Sequence, residues 1–206
     1  MRLYDHPASS NALKVRFLLA ELGLAYEREE VPITRPRPDA YVALNPFTGI
    51  PALDDDGFVL TESNAILRYL ANRYGGEELY PADPVARAPI DELLDRYALT
   101  FRPAFFSIEV LALGFTPQGG FGSAPADPDG AVARAQEVAG TLRTFNALID
   151  PSGYALGQFT IADCAAAPVL YRTTNTGMDL SPYPNLLRWR ETVCARPAFA
   201  RAEPVQ

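Results

Sequence analysis

The stretch that most constrains the fold of this chain runs from Asn45 to Leu70. It begins Asn45-Pro46, passes through Gly49-Ile50-Pro51-Ala52-Leu53, turns at Asp56-Gly57 and ends in Thr61-Glu62-Ser63-Asn64-Ala65-Ile66-Leu67. The Ile50-Pro51 amide is tertiary, which brings the cis bond to within roughly 0.5–1 kcal/mol of trans. A cis bond there would turn the backbone groups of Ile50 outward just before the apolar pair Ala52-Leu53. Asp56-Gly57 predicts a tight turn between extended runs over 52–54 and 58–60. Thr61-Glu62-Ser63 then opens a helix with Ile66, Tyr69, Leu70 and Tyr74 at helical spacing. A helix start of this kind is a ready site for an anion.

Upstream, Leu3-Tyr4 reads as a short strand, and Pro7-Ala8-Ser9-Ser10-Asn11 supplies turn and cap residues. Val15, Leu18, Leu19 and Leu22 give a helix that Gly23 ends, and 25–31 gives a polar second strand. A proline- and arginine-rich loop over 32–38 leads to a short helix at 39–44. The order is β-α-β-α-β-β-α. Gly75-Gly76, Pro81 and Pro84 punctuate a linker over 76–84, which separates a domain over 1–75 from one over 85–206. Beyond the linker, strand signals stop. An apolar face from Ile90 to Ile108 predicts a long helix that Pro103 kinks without ending. Residues 114–130, rich in Gly, Pro and Asp, read as a loop, and Val138, Leu142, Phe145 and Ile149 as another helix. Thr160 and Asp163 stand as the two ends of a variant capping box, with further helices over 185–195 and from Pro197.

Charge and cysteine content narrow the function. A net charge of −7 and a pI near 4.8 argue against nucleic-acid binding, which needs a basic face. Cys164 and Cys194 form neither a metal-type pair nor a disulfide framework. The start has no apolar signal region, and no run approaches the length of a membrane span. A cytoplasmic protein with no membrane partner is expected.

Taken in order, Asn45-Pro46, Gly49-Ile50-Pro51 and Glu62-Ser63-Asn64-Ala65-Ile66-Leu67 resemble the glutathione-binding half of the cytosolic glutathione S-transferases. Ser9-Ser10-Asn11 is similar to the Ser-x-Asn signature of serine-type members, and the Thr160–Asp163 box to one in their helical domain. The resemblance implies a thioredoxin-like N-terminal domain (βαβαββα) followed by an all-α domain that forms the electrophile site. It implies a transferase that conjugates glutathione, as co-substrate and with no metal, to a small apolar electrophile. Ser9 would donate to the glutathione sulfur, with Tyr4 as the alternative donor. Asn11, Arg37, Ile50, Pro51, Glu62 and Ser63 would hold the tripeptide: Glu62 its amino group, Ser63 its γ-glutamyl carboxylate, the backbone of Ile50 its cysteinyl unit and Arg37 its glycine carboxylate. Tyr97, Phe101 and Phe105 are the candidates for the electrophile wall, although an aromatic stripe at this spacing also suits a core. His6 reads as a loop residue. A homodimer is expected by the same resemblance. Isomerisation, reductive dehalogenation or peroxide reduction on the same scaffold stays open, as does a non-catalytic interaction module.

Overall fold

The computed structural model describes residues 1–203. Strands β1 (Arg2–Asp5), β2 (Glu27–Glu30), β3 (Ala52–Asp55) and β4 (Phe58–Thr61) form one mixed sheet in the order β2-β1-β3-β4. β1 and β2 run parallel, and helix α1 (Ser10–Glu21) makes the crossover that a parallel pair requires. β3 lies antiparallel to both β1 and β4. Asp56 and Gly57 carry φ of 54° and 90°, the two positive values a twisted two-residue hairpin needs. β2 is Glu-Arg-Glu-Glu, exposed throughout, and its charge blunts that sheet edge against further pairing. Helices α2 (Asp39–Leu44) and α3 (Ser63–Arg73) complete the βαβαββα order that the sequence predicts.

The rest of the chain is mainly helical: α4 (Pro84–Arg96), α5 (Arg102–Leu113), α6 (Pro128–Glu137), α7 (Ala139–Leu148), α8 (Ile161–Arg172), α9 (Pro184–Cys194) and α10 (Pro197–Arg201). Tyr97–Phe101 forms a π-helical turn between α4 and α5. The expected irregularity therefore falls just before Pro103, whose ring and missing N–H cannot join a regular α ladder. The stretch read as a loop over 114–130 is more ordered than its composition suggests. Phe115–Thr116 (β5) and Gly120–Phe121 (β6) pair as a small antiparallel hairpin. α6 begins inside the same stretch, because Asp127 accepts the Gly130 N–H at 2.9 Å and Pro128 opens the first turn. Gly114 ends α5 at φ 63°, with the Ala124 carbonyl too close to admit a Cβ.

One continuous core joins the two halves. α1 packs against α8, and Phe17 meets Phe159 and Phe199 with ring centroids at 5.7 and 5.2 Å. α8 is alanine-rich and buried along most of its length, which lets its neighbours approach closely. Its capping box is formed as expected. The buried Asp163 carboxylate also accepts the Ala155 N–H at 2.8 Å and the Trp189 indole N–H at 2.7 Å. Burial pushes its pKa up, while these donors hold it down.

Candidate active site

Ser9 is the N-cap of α1. Its Oγ accepts the Ala12 N–H at 3.2 Å and donates to the Ile50 carbonyl at 3.3 Å. The first bond uses an oxygen lone pair, so the hydroxyl proton stays available to an acceptor outside the helix. The second brings the helix start against the Ile50-Pro51 turn, whose peptide bond is cis. That turn is held from behind. Asn45 Nδ2 donates to the Gly49 carbonyl at 2.8 Å, and the Tyr41 hydroxyl donates to the same oxygen.

Sheet register places the start of α3 beside this turn. Ala52 pairs with Tyr4 on one side and with Thr61 on the other, so Glu62 and Ser63 follow directly across from Pro51. Glu62 is the N-cap of α3 and adopts φ 67°, ψ 105°. Such backbone costs of the order of 1–3 kcal/mol for a residue with a Cβ and gathers at ligand contacts. The Glu62 side chain is exposed, while Ser63, the first helical residue, is buried. The positive ends of α1 and α3 thus flank the same turn.

Beyond Ser9 opens a cleft of about 300 Å³. Ile33, Phe106, Phe115 and Phe121 give it an apolar wall, and Arg102 and Arg172 border it. The rings of Phe115 and Phe121 lie 5.1 Å apart, with Phe106 at 5.5 and 6.2 Å from them. Arg172, the last residue of α8, reaches across to the loop before Ser9. Its Nη1 sits 3.0 Å from Glu109 Oε1, and its Nη2 donates to the Ala8 carbonyl. The helical half therefore helps to fix where Ser9 stands.

Family models agree with this architecture. Residues 3–78 match the model described as glutathione S-transferase, N-terminal domain, and residues 129–192 the model for the C-terminal domain. The chain is 33% identical over 205 residues to a probable maleylacetoacetate isomerase from Caenorhabditis elegans, covering 98% of this chain and 92% of that one. The chain belongs to the glutathione S-transferase family. It is also 33% identical over 209 residues to glutathione S-transferase GstB from Escherichia coli K12, covering 97% of this chain and 95% of that one. A theta-class glutathione S-transferase from Xanthomonas axonopodis pv. citri, solved with glutathione bound, superposes with a TM-score of 0.84 at 28% identity, over 100% of this chain and 97% of that one.

Within this glutathione S-transferase fold, the residues singled out from sequence fall into three groups. Ser9, Ile50, Pro51, Glu62 and Ser63 converge on one end of the sheet. Asn11 lies half-buried in the first turn of α1. Tyr4 packs its ring against Tyr41 at 5.9 Å, within the small cluster of Ala12, Val31, Ile50 and Ala52, whereas Ser9 borders the cleft. Arg37 is largely spent on its own loop, where its Nε donates to the Thr48 carbonyl at 3.3 Å and its Nη1 to the carbonyls of Thr34, at 2.9 Å, and Pro32. Arg35, which sequence reasoning passed over, meets Thr48 Oγ1 at 2.7 Å. Burial, then Arg35, pushes the Arg37 pKa down, so two guanidinium groups converge on Thr48.

The aromatic candidates do not wall the cleft. Tyr97, Phe101 and Phe105 are 3%, 0% and 4% exposed, and Phe101 packs on Phe105, Phe145 and Trp189. Helical phase explains this correction: the face carrying Phe101 and Phe105 points into the bundle, and Phe106, one residue on, reaches the cleft. Phe115 and Phe121 escaped notice because they lie in a stretch read as a loop. Its glycines, which suggest a loop, in fact permit the hairpin.

Lys14 is a further buried group that sequence reasoning passed over. It is 2% exposed, donates to Asn64 Oδ1 at 2.6 Å and lies 5.4 Å from the Tyr97 ring. Asn64 in turn donates to the Leu94 carbonyl, so this chain of contacts joins α1, α3 and α4. Burial first, and then Arg102, pushes the Lys14 pKa down to about 7. A larger cavity of about 400 Å³ lies elsewhere in the helical half, beside Leu142, Met178 and Tyr183. It includes neither Ser9 nor any residue of the sheet.

Proposed function

We propose that this glutathione S-transferase binds glutathione across the Ile50-Pro51 turn and the start of α3, and that Ser9 stabilises its thiolate for attack on a small electrophile in the adjoining cleft. The observation that carries the reading is the Ser9 hydroxyl, anchored as a cap by one lone pair and facing both the turn and the apolar cleft. A free thiol has a pKa near 8.5, so only a few per cent is ionised at pH 7. Turned from the Ile50 carbonyl to the sulfur, the Ser9 O–H would favour the anion, as does the positive end of α1. Together they supply of the order of one to two pKa units, each worth about 1.4 kcal/mol.

Ser63 and the N–H groups at the start of α3 would receive the γ-glutamyl carboxylate, and Glu62 the neighbouring ammonium. The glycine end would meet the arginines at Thr48, with Arg35 sharing the role expected of Arg37. With the sulfur held beside the aromatic wall, the protein contributes proximity and thiolate stabilisation. A carbon–sulfur bond forms while the leaving group departs with its electron pair. In an addition, the displaced π pair is protonated instead.

Glutathione-dependent conjugation of a generic aryl halide tests this reading, with Ser9→Ala and Glu62→Ala beside the wild type. Ser9→Ala as active as wild type, together with an inactive Tyr4→Phe, would reassign the donor. No glutathione binding at millimolar concentration would point to an interaction module. Isomerisation through a reversible glutathione adduct is the second reading, favoured by the 33% identity to the probable maleylacetoacetate isomerase. We also infer a two-fold dimer acting on reactive electrophiles in the cytoplasm. Phe47 and Leu99 are 88% and 80% exposed, apolar surface that a partner copy would cover. A stable monomer in sedimentation at micromolar concentration refutes the dimer.

A further inference from the structure

We propose that the Ser9 cleft selects electrophiles carrying a carboxylate on a flat apolar body, and that Arg102 is the residue that reads the charge. This rests on the conjugation reading above and names its substrate class. Two guanidinium groups border the cleft, and a single buried carboxylate answers them. Glu109 pairs with Arg172, whose other hydrogen bond is to the Ala8 carbonyl. Arg102 forms no ion pair or hydrogen bond within the described residues, and its Nε is buried without an acceptor. A buried donor left unmade is costly, more so on a charged group, and calls for a partner that arrives with the ligand.

The surroundings define that partner. The Arg102 guanidinium lies 5.1 Å from the Phe106 ring centre, and Phe106 belongs to the wall with Phe115 and Phe121. A flat body stacked on this wall would bring a carboxylate at its edge to the guanidinium, whose planar fork matches carboxylate geometry. The other titratable groups nearby do not cancel the charge. His6, on the same cleft, has its pKa pushed down by burial and is neutral at pH 7. Lys14, whose pKa burial and Arg102 push down to about 7, is only partly charged at pH 7 and adds no negative charge, and Glu62 and Arg68 act on it more weakly. The electrophile's carboxylate is a spectator: sulfur bonds to the activated carbon and the leaving group departs from that carbon.

The test compares 4-chloro-3,5-dinitrobenzoate with its neutral carboxamide at saturating glutathione and pH 7, each rate divided by its uncatalysed rate. In both, a C–S bond forms and chloride leaves with the C–Cl electron pair. The expected carboxylate-to-carboxamide ratio of normalised kcat/KM is about ten in the wild type, an ordinary gain for one charge-assisted contact. Arg102→Gln should bring it to about one, and Arg102→Lys, which keeps the charge but loses the planar fork, should give a ratio between the two. A wild-type ratio at or below one overturns the proposal without any variant. So does an unchanged ratio in Arg102→Gln, or a raised glutathione KM as its only effect, which would assign the arginine to the peptide. Turnover of the carboxamide without preference for the carboxylate refutes this proposal and leaves the conjugation reading standing. If neither probe turns over, that reading fails and calorimetry decides the charge selection. Tighter binding of unreactive 3,5-dinitrobenzoate than of 3,5-dinitrobenzamide, lost in Arg102→Gln, sustains it, and equal binding overturns it.

Discussion

The two sides of the Ser9 cleft are built from different kinds of chain. The peptide side is nearly contiguous: Asn45–Ser63 plus the first turn of α1, presented by a proline turn and two helix starts. The electrophile side is assembled from Arg102 and Phe106 on α5, Phe115 and Phe121 on a small hairpin and Arg172 at the end of α8. On the proposed reading the first meets a peptide, with backbone groups and side chains that lie close in sequence. The second would meet shape and charge, with side chains that only packing brings together. A fold divided in this way keeps one substrate constant and leaves the other free to change.

Ser9 sits on the border, and its removal should have the largest effect. Ser9→Ala is expected to lower kcat for aryl halide conjugation by about two orders of magnitude, the usual loss when a donor to a reacting anion is deleted. The pKa of bound glutathione, followed by thiolate absorbance, should rise toward its free value. Because Ser9 also caps α1, thermal unfolding should register a separate loss of about 1 kcal/mol. A loss confined to stability, with kcat intact, would leave Ser9 a cap and nothing more.

Glu62 tests the peptide side alone. Glu62→Ala should weaken glutathione binding about tenfold, in line with one hydrogen bond to a charged group, and leave kcat at saturation nearly unchanged. Glu62→Gly separates side chain from backbone. Binding should fall as in the alanine variant, while glycine relieves the φ of 67° and holds thermal stability above that of Glu62→Ala. Equal stability of the two variants would mean that this backbone is unstrained.

The same division explains what could be read from the sequence. The βαβαββα order, the Asp56-Gly57 turn and the Thr160–Asp163 box follow from turn and cap residues acting over short distances, whereas the convergence of Ser9 with Ile50 and Glu62-Ser63 is implied by the family resemblance alone. The electrophile wall follows from neither. Moving from Phe105 to Phe106 is a question of helical phase beside a π-turn, and periodicity alone does not fix phase there. Arg102 and Arg172 look like ordinary solvated arginines until the fold places them on one cleft. Arg37 had the right residue type in the right loop, but its donors are taken by carbonyls that sequence gives no means of locating.

Lys14 lies buried where α1, α3 and α4 are joined, and pH should expose it. Its pKa falls from 10.5 in a free side chain to about 7. Below pH 7 it is charged in both folded and unfolded chains, and the cost of burying that charge is fully felt. As pH rises above 7 the folded chain releases the proton and the unfolded chain keeps it, so stability increases toward the unfolded pKa. The slope approaches about 1 kcal/mol per pH unit. Cys164 and Cys194, whose pKa values burial raises, oppose this once unfolded thiols ionise, so pH 7 to 8.5 is the informative window. Denaturant unfolding of the wild type should show the rise, and Lys14→Met should flatten it. The same slope in both proteins would show that Lys14 does not titrate there.

Phe121 offers the smallest effect and the sharpest test of the division. Its ring touches Phe115 at 5.1 Å and lies 5.4 Å from the Arg172 guanidinium, yet among the described residues none of its aromatic or cation–π contacts reaches the four-stranded sheet or α3. Phe121→Leu keeps most of the apolar volume and removes the flat face, a change of roughly 0.5–1.5 kcal/mol for one aromatic contact. Conjugation of an aryl halide should therefore fall about threefold in kcat/KM for the electrophile, a modest share of that range. Affinity for glutathione, measured by calorimetry without electrophile, should not move. Two physical links could move it: Arg172, which holds both Glu109 and the Ala8 carbonyl one residue before Ser9, and the Arg35 N–H, which donates to the Gln118 carbonyl of the hairpin turn at 3.2 Å. A drop in glutathione affinity equal to the drop in kcat/KM would mean that losing the ring shifts one of these links, and with it the start of α1 or the Arg35 loop. The two sides of the cleft would then be one coupled unit.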